Sequence, residues 1–277
     1  MTDDLYAVVG NPISHSKSPW IHSHFARQTD QAMEYTAIQA PLAGFEDTVT
    51  GFFDRGGKGL NVTVPFKEQA WKMARRRTPR AEKAGAANTL FLDSEGLLTA
   101  DNTDGKGLVV DLTINSGFAL TDRRVLILGA GGAVRGVLGP LLAEHPRALV
   151  IANRTPDKAR SLAELFASEA GATELSGCGF DGIEGEFDLI INGTSASLQG
   201  DLPPISPSLV GPETRGYDMM YSHEVTPFNR WVLDQGGRLG TDGVGMLVEQ
   251  AAESFAIWRG VHPETAPVIA ALRSGAG

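Results

Sequence analysis

The sequence predicts an α/β protein of two domains, and three observations support this prediction. Short apolar runs alternate with helix-like segments over about the first hundred residues, as in α/β domains. Near the middle of the chain, a wholly apolar run at residues 125–128 ends in a cluster of glycines. The length of 277 residues is sufficient for two domains with separate cores.

The N-terminal domain is predicted to alternate strands and helices. Ser18 is a candidate N-cap for its first helix, because its hydroxyl accepts hydrogen bonds and Pro19 suits a first helical turn. The predicted strands are 5–9, 34–39, 59–64 and 89–92, and the predicted helices are 19–28, 42–54 and 65–76.

A predicted helix at 105–115 leads into the second domain. Its strands are predicted at 125–128, 149–152, 189–192 and 216–219. A helix-like stretch follows the first of these strands, and further helices are predicted at 155–170, 226–235 and 244–258.

Glycines directly follow the strand at 125–128, where a helix begins. Gly129, Gly131 and Gly132 leave room for a phosphate to reach the unpaired N–H groups at a helix N-terminus. The spacing is a variant of the dinucleotide-binding G-x-G-x-x-G pattern, because Ala133 lies one residue early and Val134 occupies the last position. The pattern favours a dinucleotide site, and a tight turn without a ligand is the alternative.

The end of the next predicted strand favours NADP over NAD. NAD sites place a carboxylate here to hold the ribose 2′-hydroxyl, but this chain has Asn153. Arg154 follows, and a guanidinium forms charge-assisted hydrogen bonds with phosphate oxygens. Thr155 adds a hydroxyl and is also a candidate N-cap for a helix starting at Pro156. The alternative is that Arg154 is an ordinary surface arginine.

Composition excludes several classes of function. A formal net charge of −9 argues against nucleic acid as a partner. No apolar run approaches the roughly 20 residues of a membrane helix, and the N-terminus lacks the pattern of a signal peptide. The single cysteine, Cys178, precludes an intrachain disulfide, so a cytoplasmic location is expected. The six histidines show no metal-binding spacing, so no metal is expected.

One basic cluster interrupts the acidic composition. It consists of the arginines at 75–77 together with Arg80 and Lys83. We interpret it as a solvated helix face rather than a site for a polyanion.

Lys67 is the candidate catalytic residue of the N-terminal domain. Thr63 is predicted to face away from its two valine neighbours at the end of a strand, and Pro65 to open the next helix. Lys67 then lies in the first turn, facing the positive helix end at a cost of about 0.3–1 kcal/mol when exposed. An unfavourable charge placement suggests function. A solvent-facing lysine is the alternative.

Two further polar segments are candidates for ligand binding. Thr103 and Asp104 precede a predicted helix, where either one is also a candidate cap. Hydroxyls at residues 14–18 follow the first strand and precede a helix N-terminus, which suits a carboxylate. Turn formation is the alternative for this second segment.

The order of these segments resembles that of the shikimate dehydrogenase family over nearly the whole chain. The segments are NPISHSKSP, NVTVPFK, AANTL, DNTDG, GAGGA, NRT, DMMY and DGVGMLVEQA. In that family an N-terminal substrate domain is joined to a Rossmann-like parallel-sheet NADP-binding domain, and C-terminal helices return to the substrate domain. The resemblance implies a substrate-binding catalytic domain at 1–104, an NADP-binding domain at 105–240 and C-terminal helices at 241–277.

The resemblance also implies an activity and a set of site residues. The activity is the reversible reduction of 3-dehydroshikimate to shikimate by NADPH, a step of chorismate and aromatic amino acid biosynthesis. Lys67 is implied as the acid/base, and Asp104 as its partner and a ligand of substrate hydroxyls. The other implied substrate contacts are Ser16 and Ser18 to the carboxylate, and Thr63, Asn88, Tyr221 and Gln250.

The implied NADP contacts fall into three groups. Those for the pyrophosphate are Gly129, Ala130, Gly131, Gly132 and Ala133. Those for the adenosine 2′-phosphate are Asn153, Arg154 and Thr155. Met219 and Gly243 are implied beside the nicotinamide, with Thr194 and Ser195 as further cofactor-side positions.

Three alternative functions remain at this stage. One is a quinate/shikimate dehydrogenase of broader specificity, which nothing in the sequence excludes. Another is a non-catalytic NADP-binding sensor, against which the presence of both Lys67 and Asp104 argues. The third is another two-domain NADP enzyme, such as one acting on folates, against which the serines at 16 and 18 argue. A monomer or homodimer with a small-molecule substrate is expected.

Overall fold

The computed structural model describes residues 3–194, 201–222 and 224–275. The chain forms two compact units. The first unit comprises Met1–Gly107 and Leu247–Gly277, and the second comprises Leu108–Met246. The domain borders that the family resemblance implies are 104/105 and 240/241. Within the described residues, no helix has both the length and the apolar character that crossing a bilayer requires.

The first unit is built on a mixed six-stranded sheet of order β2-β1-β3-β5-β6-β4. The strands are β1 Asp4–Gly10, β2 Met33–Gln39, β3 Gly59–Val62, β4 Arg76–Arg77, β5 Thr89–Leu92 and β6 Leu98–Asp101. β1 pairs in parallel with β2 and β3, whereas β5 is antiparallel to both β3 and β6. The short strands β4 and β6 were not predicted from the sequence.

Four helices complete the N-terminal part of this unit: α1 Ser18–Gln28, α2 Phe45–Asp54, α3 Lys67–Met73 and α4 Pro79–Ala84. A core of buried side chains from the strands and from α2 and α3 includes Val9, Phe45, Leu60 and Leu90. These apolar contacts fix the ends of β3 and β5, where polar residues follow.

The structure corrects three details of the predicted helices. Ser18 is the first residue of α1 rather than its cap, and the N-cap is Lys17. The helix predicted at 65–76 starts later, because the Phe66 N–H donates to the Thr63 carbonyl at 3.0 Å and closes a turn first. This helix also ends early, since Arg75 N–H donates to Leu98 O at 2.8 Å and the chain joins the sheet. The strand predicted at 59–64 ends at Val62, so Val64 no longer follows its alternation and is exposed, whereas Val62 is buried.

The second unit is a parallel six-stranded sheet of order β12-β11-β10-β7-β8-β9. Its strands are β7 Arg124–Leu128, β8 Ala148–Ala152, β9 Glu174–Cys178, β10 Phe187–Asn192, β11 Val210–Asp218 and β12 Arg238–Asp242. All neighbouring strands pair in parallel. β8 and β9 follow β7 on one side of the sheet, and β10, β11 and β12 follow on its other side, as in a Rossmann fold. This sheet confirms the predicted α/β fold class.

Helices on this unit are α5 Asp104–Val110, which starts in the first unit, α6 Gly132–Leu142, α7 Pro156–Phe166 and α8 Pro227–Asp234. α5 continues into a π-helical turn at Asp111–Asn115. Two apolar clusters are built on β7 and β10. One contains Ile127 and Ile191, and the other contains Leu126 and Ile190, as the alternation of side chains along a strand requires. A sheet covered on both faces has apolar strands throughout.

Two C-terminal helices end the chain, α9 Val244–Arg259 and α10 Ala266–Arg273. From Leu247 onward they group with the first unit, as the fold class predicted. Residues of α9 thereby enter the polar interior of the unit that carries Lys67.

Candidate active site

Lys67 and Asp104 form an ion pair in the first unit. Each is the first residue of a helix, Lys67 of α3 and Asp104 of α5. The Lys67 ammonium donates to Asp104 Oδ2 at 2.6 Å. The lysine side chain is 28% exposed and the aspartate side chain 10% exposed, so the pair is accessible to a ligand on the lysine side.

Asn88, which directly precedes β5, fixes the other side of the aspartate. Its amide nitrogen lies 2.9 Å from Asp104 Oδ1, 2.8 Å from Thr103 Oγ1 and 3.1 Å from Gln250 Oε1. Its amide oxygen accepts from the Thr103 N–H at 2.9 Å and from the Thr89 hydroxyl at 2.9 Å. The structure therefore brings together four predicted site residues, Lys67, Asn88, Asp104 and Gln250.

A second polar cluster is centred on Asn61 in β3. Its amide oxygen accepts from the Tyr35 hydroxyl at 2.7 Å and lies 3.1 Å from His22 Nε2. Its amide nitrogen donates to the Asn88 carbonyl at 3.1 Å and to Ser254 Oγ at 3.0 Å. Asn61 therefore connects the strand that carries Tyr35 with the residue that orients Asp104.

Contacts and burial together describe the protonation of His22. Because the amide oxygen of Asn61 is the acceptor, His22 Nε2 carries a hydrogen. His22 Nδ1 is buried and has no hydrogen-bond partner within the described part of the chain. Burial lowers the pKa of His22 to about 3, although the Asn61 contact acts in the opposite direction. The ring is therefore neutral near pH 7 and stacks on Tyr35 with centroids 4.1 Å apart.

The two predicted carboxylate ligands are close to this cluster. Ser18 N–H donates to Ser16 Oγ at 3.3 Å. Burial raises the pKa of Tyr35 well above its ordinary value, and a hydrogen bond from the Ser18 side chain opposes that effect. Tyr35 thus joins Ser18 to Asn61, a link that the sequence prediction missed. The available signal was a buried asparagine in the otherwise apolar strand β3.

Thr63 lies just beyond the end of β3 and is partly exposed. Its backbone N–H donates to the Val9 carbonyl at 3.0 Å, so the segment before Lys67 is held against β1. Tyr221, the remaining predicted substrate contact, belongs to the second unit and is 41% exposed.

The glycine turn after β7 is open where a phosphate is predicted to bind. Gly129 has a φ of +107°, a backbone conformation that favours glycine whether or not a ligand is bound. Gly131 and Gly132 differ, because a Cβ added to either would meet no atom within 4 Å. Gly131 is the N-cap of α6 and has no side chain to cap the helix. The residues therefore fit a dinucleotide phosphate, which needs free N–H groups and space before a helix N-terminus.

The three residues after β8 are placed as follows. Asn153 donates from its side-chain nitrogen to the Thr155 carbonyl at 3.0 Å. Arg154 is exposed and pairs with no acid among the described residues. Thr155 occupies the N-cap position of α7, but its hydroxyl makes no capping hydrogen bond. The prediction that Thr155 caps this helix through its side chain is therefore wrong.

Met219 and Gly243 lie side by side at the ends of β11 and β12. A Cβ on Gly243 would collide with the backbone of Met219, and Gly243 N–H donates to the Met220 carbonyl at 3.0 Å. Thr194 donates its hydroxyl to Asn192 Oδ1 at 2.7 Å at the end of β10. Ser195 lies outside the described residues.

The interpretation of the basic cluster as a solvated helix face is wrong. Arg76 and Arg77 form strand β4, and Arg77 stacks on Trp71 with 4.4 Å between its guanidinium carbon and the ring centroid. Arg80 is bound to Asp101 and Glu253. The sequence pattern could not reveal Asp101 and Glu253 as partners of Arg80, because both are distant from it in the chain. The described residues contain no group of three or more histidine, cysteine or acidic side chains arranged to hold a metal.

Comparison with known protein families assigns three parts of the chain. Residues 8–90 match the shikimate dehydrogenase substrate binding domain. Residues 112–199 match the shikimate / quinate 5-dehydrogenase family, and residues 243–273 match the shikimate 5′-dehydrogenase C-terminal domain.

Individual relatives cover almost the whole chain. The shikimate dehydrogenase (NADP+) of Marinobacter nauticus is 65% identical over 99% of this chain and 100% of its own length. The crystal structure of an Ael1 enzyme from Pseudomonas putida is 47% identical, covers 98% of both chains and has a TM-score of 0.91. That of shikimate 5-dehydrogenase from Thermus thermophilus with NADP(H) and shikimate is 30% identical, covers 98% of this chain and 99% of its own, and has a TM-score of 0.84. This chain therefore belongs to the NADP-dependent shikimate dehydrogenase family.

Proposed function

We propose that this chain catalyses the reversible reduction of 3-dehydroshikimate to shikimate with NADPH, with Lys67 as the acid/base. The observation that carries the proposal is the 2.6 Å contact between Lys67 and Asp104 inside a polar cluster that also holds Asn88 and Gln250. A carbonyl that gains negative charge needs a proton donor at this kind of position.

The proton is handled by residues of the first unit. The Lys67 ammonium donates to the carbonyl oxygen during reduction and stabilises the charge that develops there. Asp104 holds the ammonium in place and presents its oxygens to substrate hydroxyls. In the reverse direction, the neutral Lys67 amine removes the hydroxyl proton.

Substrate recognition is assigned to the surrounding donors and acceptors. Ser16 and Ser18 bind the carboxylate of the substrate, and Thr63, Asn88 and Gln250 bind its hydroxyls. The hydrogen bonds within the cluster keep these groups oriented before the substrate arrives, which reduces the entropic cost of binding. Tyr221 from the second unit is assigned as a further substrate contact.

The second unit is proposed to hold NADP. Residues 129–133 accept the pyrophosphate at the N-terminus of α6, and Asn153, Arg154 and Thr155 bind the 2′-phosphate. Met219 and Gly243 lie beside the nicotinamide. When bound, the nicotinamide supplies hydride for the reduction and accepts it in the reverse direction. Two observations support this assignment: Arg154 is exposed and pairs with no acid among the described residues, and the space at Gly131 and Gly132 is open.

One assay tests the function. The purified chain is supplied with shikimate or quinate and with NADP+ or NAD+, and formation of reduced nicotinamide is followed by absorbance. We expect turnover with shikimate and NADP+ and much less with NAD+. A chain that binds NADP+ without turning over either substrate would support a sensor instead, and equal turnover of quinate would support a broader dehydrogenase.

Two finer assignments accompany the proposal. We place the enzyme in the cytoplasm, since its one cysteine, Cys178, forms no disulfide. We also keep the prediction of a monomer or homodimer, which light scattering of the purified chain tests.

A further inference from the structure

Arg80 and Asp101 form a bidentate ion pair in the first unit, next to the residues that orient Asp104. Arg80 Nε donates to Asp101 Oδ1 at 2.6 Å, and its Nη2 donates to Asp101 Oδ2 at 2.8 Å. Arg80 lies in α4, and Asp101 is the last residue of β6. Two parallel N–H···O bonds fix both the distance and the angle between the groups.

Asp101 in turn holds the segment that carries Asp104. Its Oδ1 accepts from the Asn102 N–H at 2.7 Å and from the Thr78 hydroxyl at 2.6 Å. Its backbone carbonyl accepts from the Asn88 N–H at 3.0 Å. One buried aspartate therefore anchors both the residue after it and the asparagine that orients Asp104.

The anchoring continues one residue further. Asn102 Oδ1 accepts from the Asp104 N–H at 3.1 Å, and Asn102 Nδ2 donates to the Ala86 carbonyl at 3.0 Å. An unbroken chain of hydrogen bonds thus runs from Arg80 through Asp101 and Asn102 to Asp104.

Arg80 also reaches the helix that supplies Gln250. Its Nη1 donates to Glu253 Oε1 at 2.9 Å, three residues along α9 from Gln250. The Arg80 side chain is 28% exposed and the Asp101 side chain 6%, so the carboxylate depends on the guanidinium to balance its charge. A lysine in place of Arg80 would keep a positive charge, but its single nitrogen could not make the two parallel bonds to Asp101 together with the bond to Glu253.

We propose that Arg80 is a positioning residue for the Lys67–Asp104 pair. It acts through Asp101 and contacts neither the substrate nor the cofactor. This inference rests on the proposed function, because its effect is measured on that reaction. Arg80 sets the place of Asp104 and Asn88, and hence the position of the Lys67 ammonium over the reacting carbonyl.

The test is a double-mutant cycle on kcat with Arg80→Met, Asp101→Asn and the combined variant. Misplacement of a catalytic group by about 1 Å costs on the order of 100-fold. We therefore expect kcat to fall by roughly 10- to 100-fold in each single variant. The combined variant should lose no more than the more damaging single change, because both changes break the same chain of contacts. KM for NADP+ should stay unchanged, since its proposed site is in the second unit.

Controls separate positioning from folding. Arg76→Met removes the surface ion pairs of Arg76 with Asp93 and Glu95 from the same stretch of chain and should leave kcat within about twofold of the wild type. Each variant is assayed well below its melting temperature. If Arg80→Met does not fold, Arg80→Lys replaces it in the cycle, and the expectation is the same loss of kcat.

The outcomes distinguish the two proposals. An inactive wild-type chain would contradict the proposed function itself. An active wild type with unchanged kcat in the folded Arg80 variant would overturn only the positioning role, and so would multiplicative losses in the combined variant.

Discussion

Lys67 and Asp104 are 37 residues apart in the chain, yet their charged groups lie 2.6 Å from each other. The contact forms because α3 and α5 both begin at the polar cluster of the first unit. Asn88 donates to the other carboxylate oxygen of Asp104, and the lysine is the more exposed member of the pair. This asymmetry suits a lysine that transfers a proton and an aspartate that positions it.

Replacing Lys67 by alanine should lower kcat for shikimate oxidation by about 100-fold or more, which is the scale of acid–base catalysis. KM for shikimate should change only modestly, because the carboxylate and hydroxyl ligands remain. Steady-state kinetics measure both quantities. Lys72→Ala, on the exposed side of the same helix, is the matched control and should behave like the wild type. Near-normal turnover without Lys67 would exclude it from the mechanism.

Replacing Arg154 by alanine should weaken NADP+ far more than NAD+. A hydrogen bond to a charged group contributes about 1.5–3 kcal/mol, so KM for NADP+ should rise by roughly 10- to 150-fold. NAD+ lacks the 2′-phosphate, and its KM should change little. Arg160→Ala, which removes an exposed ion pair with Asp157 on α7, is the control. Equal losses for the two cofactors would contradict the phosphate contact.

Replacing Gly131 by alanine separates the needs of the ligand from those of the fold. The added Cβ meets no protein atom within 4 Å, and φ is −89°, which any residue adopts. The free energy of unfolding should therefore stay within about 0.5 kcal/mol of the wild type. Binding of NADP+ should weaken by about 10-fold or more, because the methyl group occupies the space predicted for phosphate. Calorimetry measures both effects, and unchanged NADP+ affinity would argue against this site.

His22 should make the stability of the protein depend on pH in acid. Its pKa is about 3 in the folded chain and about 6.5 in the unfolded chain, so the unfolded chain binds an extra proton between these values. The free energy of unfolding is therefore fully retained above about pH 6.5 and falls by up to about 1.4 kcal/mol per pH unit below it. A His22→Gln variant should lose this contribution to the slope.

Denaturant unfolding of wild type and variant between about pH 4.5 and 8 measures the difference. Other titrating groups affect both proteins alike, so the gap between the two curves isolates His22. Curves that stay parallel from pH 8 down to 4.5 would show that the ring is not buried in its neutral form.

Local patterns predicted much of the framework. The strands at β1, β5, β7 and β8 follow from short apolar runs, since a strand covered on both faces excludes polar side chains. Strands β4, β6, β9 and β12 are edge or short elements with mixed side chains, so no apolar run marks them. The helix predicted at 65–76 is present but ends at Met73, because the Arg75 N–H donates to Leu98 in a strand more than twenty residues later.

By itself, the sequence determined the two α/β parts, the glycine turn after β7, the Asn-Arg-Thr segment after β8 and the family to which the chain belongs. These features depend on neighbours within a few residues, such as the alternation of apolar side chains and the steric freedom of glycine. Only the tertiary structure decided which charged groups are partners. Arg80 looks solvated in the sequence but is bound to Asp101. His22 is neutral because burial lowers its pKa, although its contact with Asn61 acts in the opposite direction. Ion pairing and burial depend on distances through space, which the folded chain alone sets.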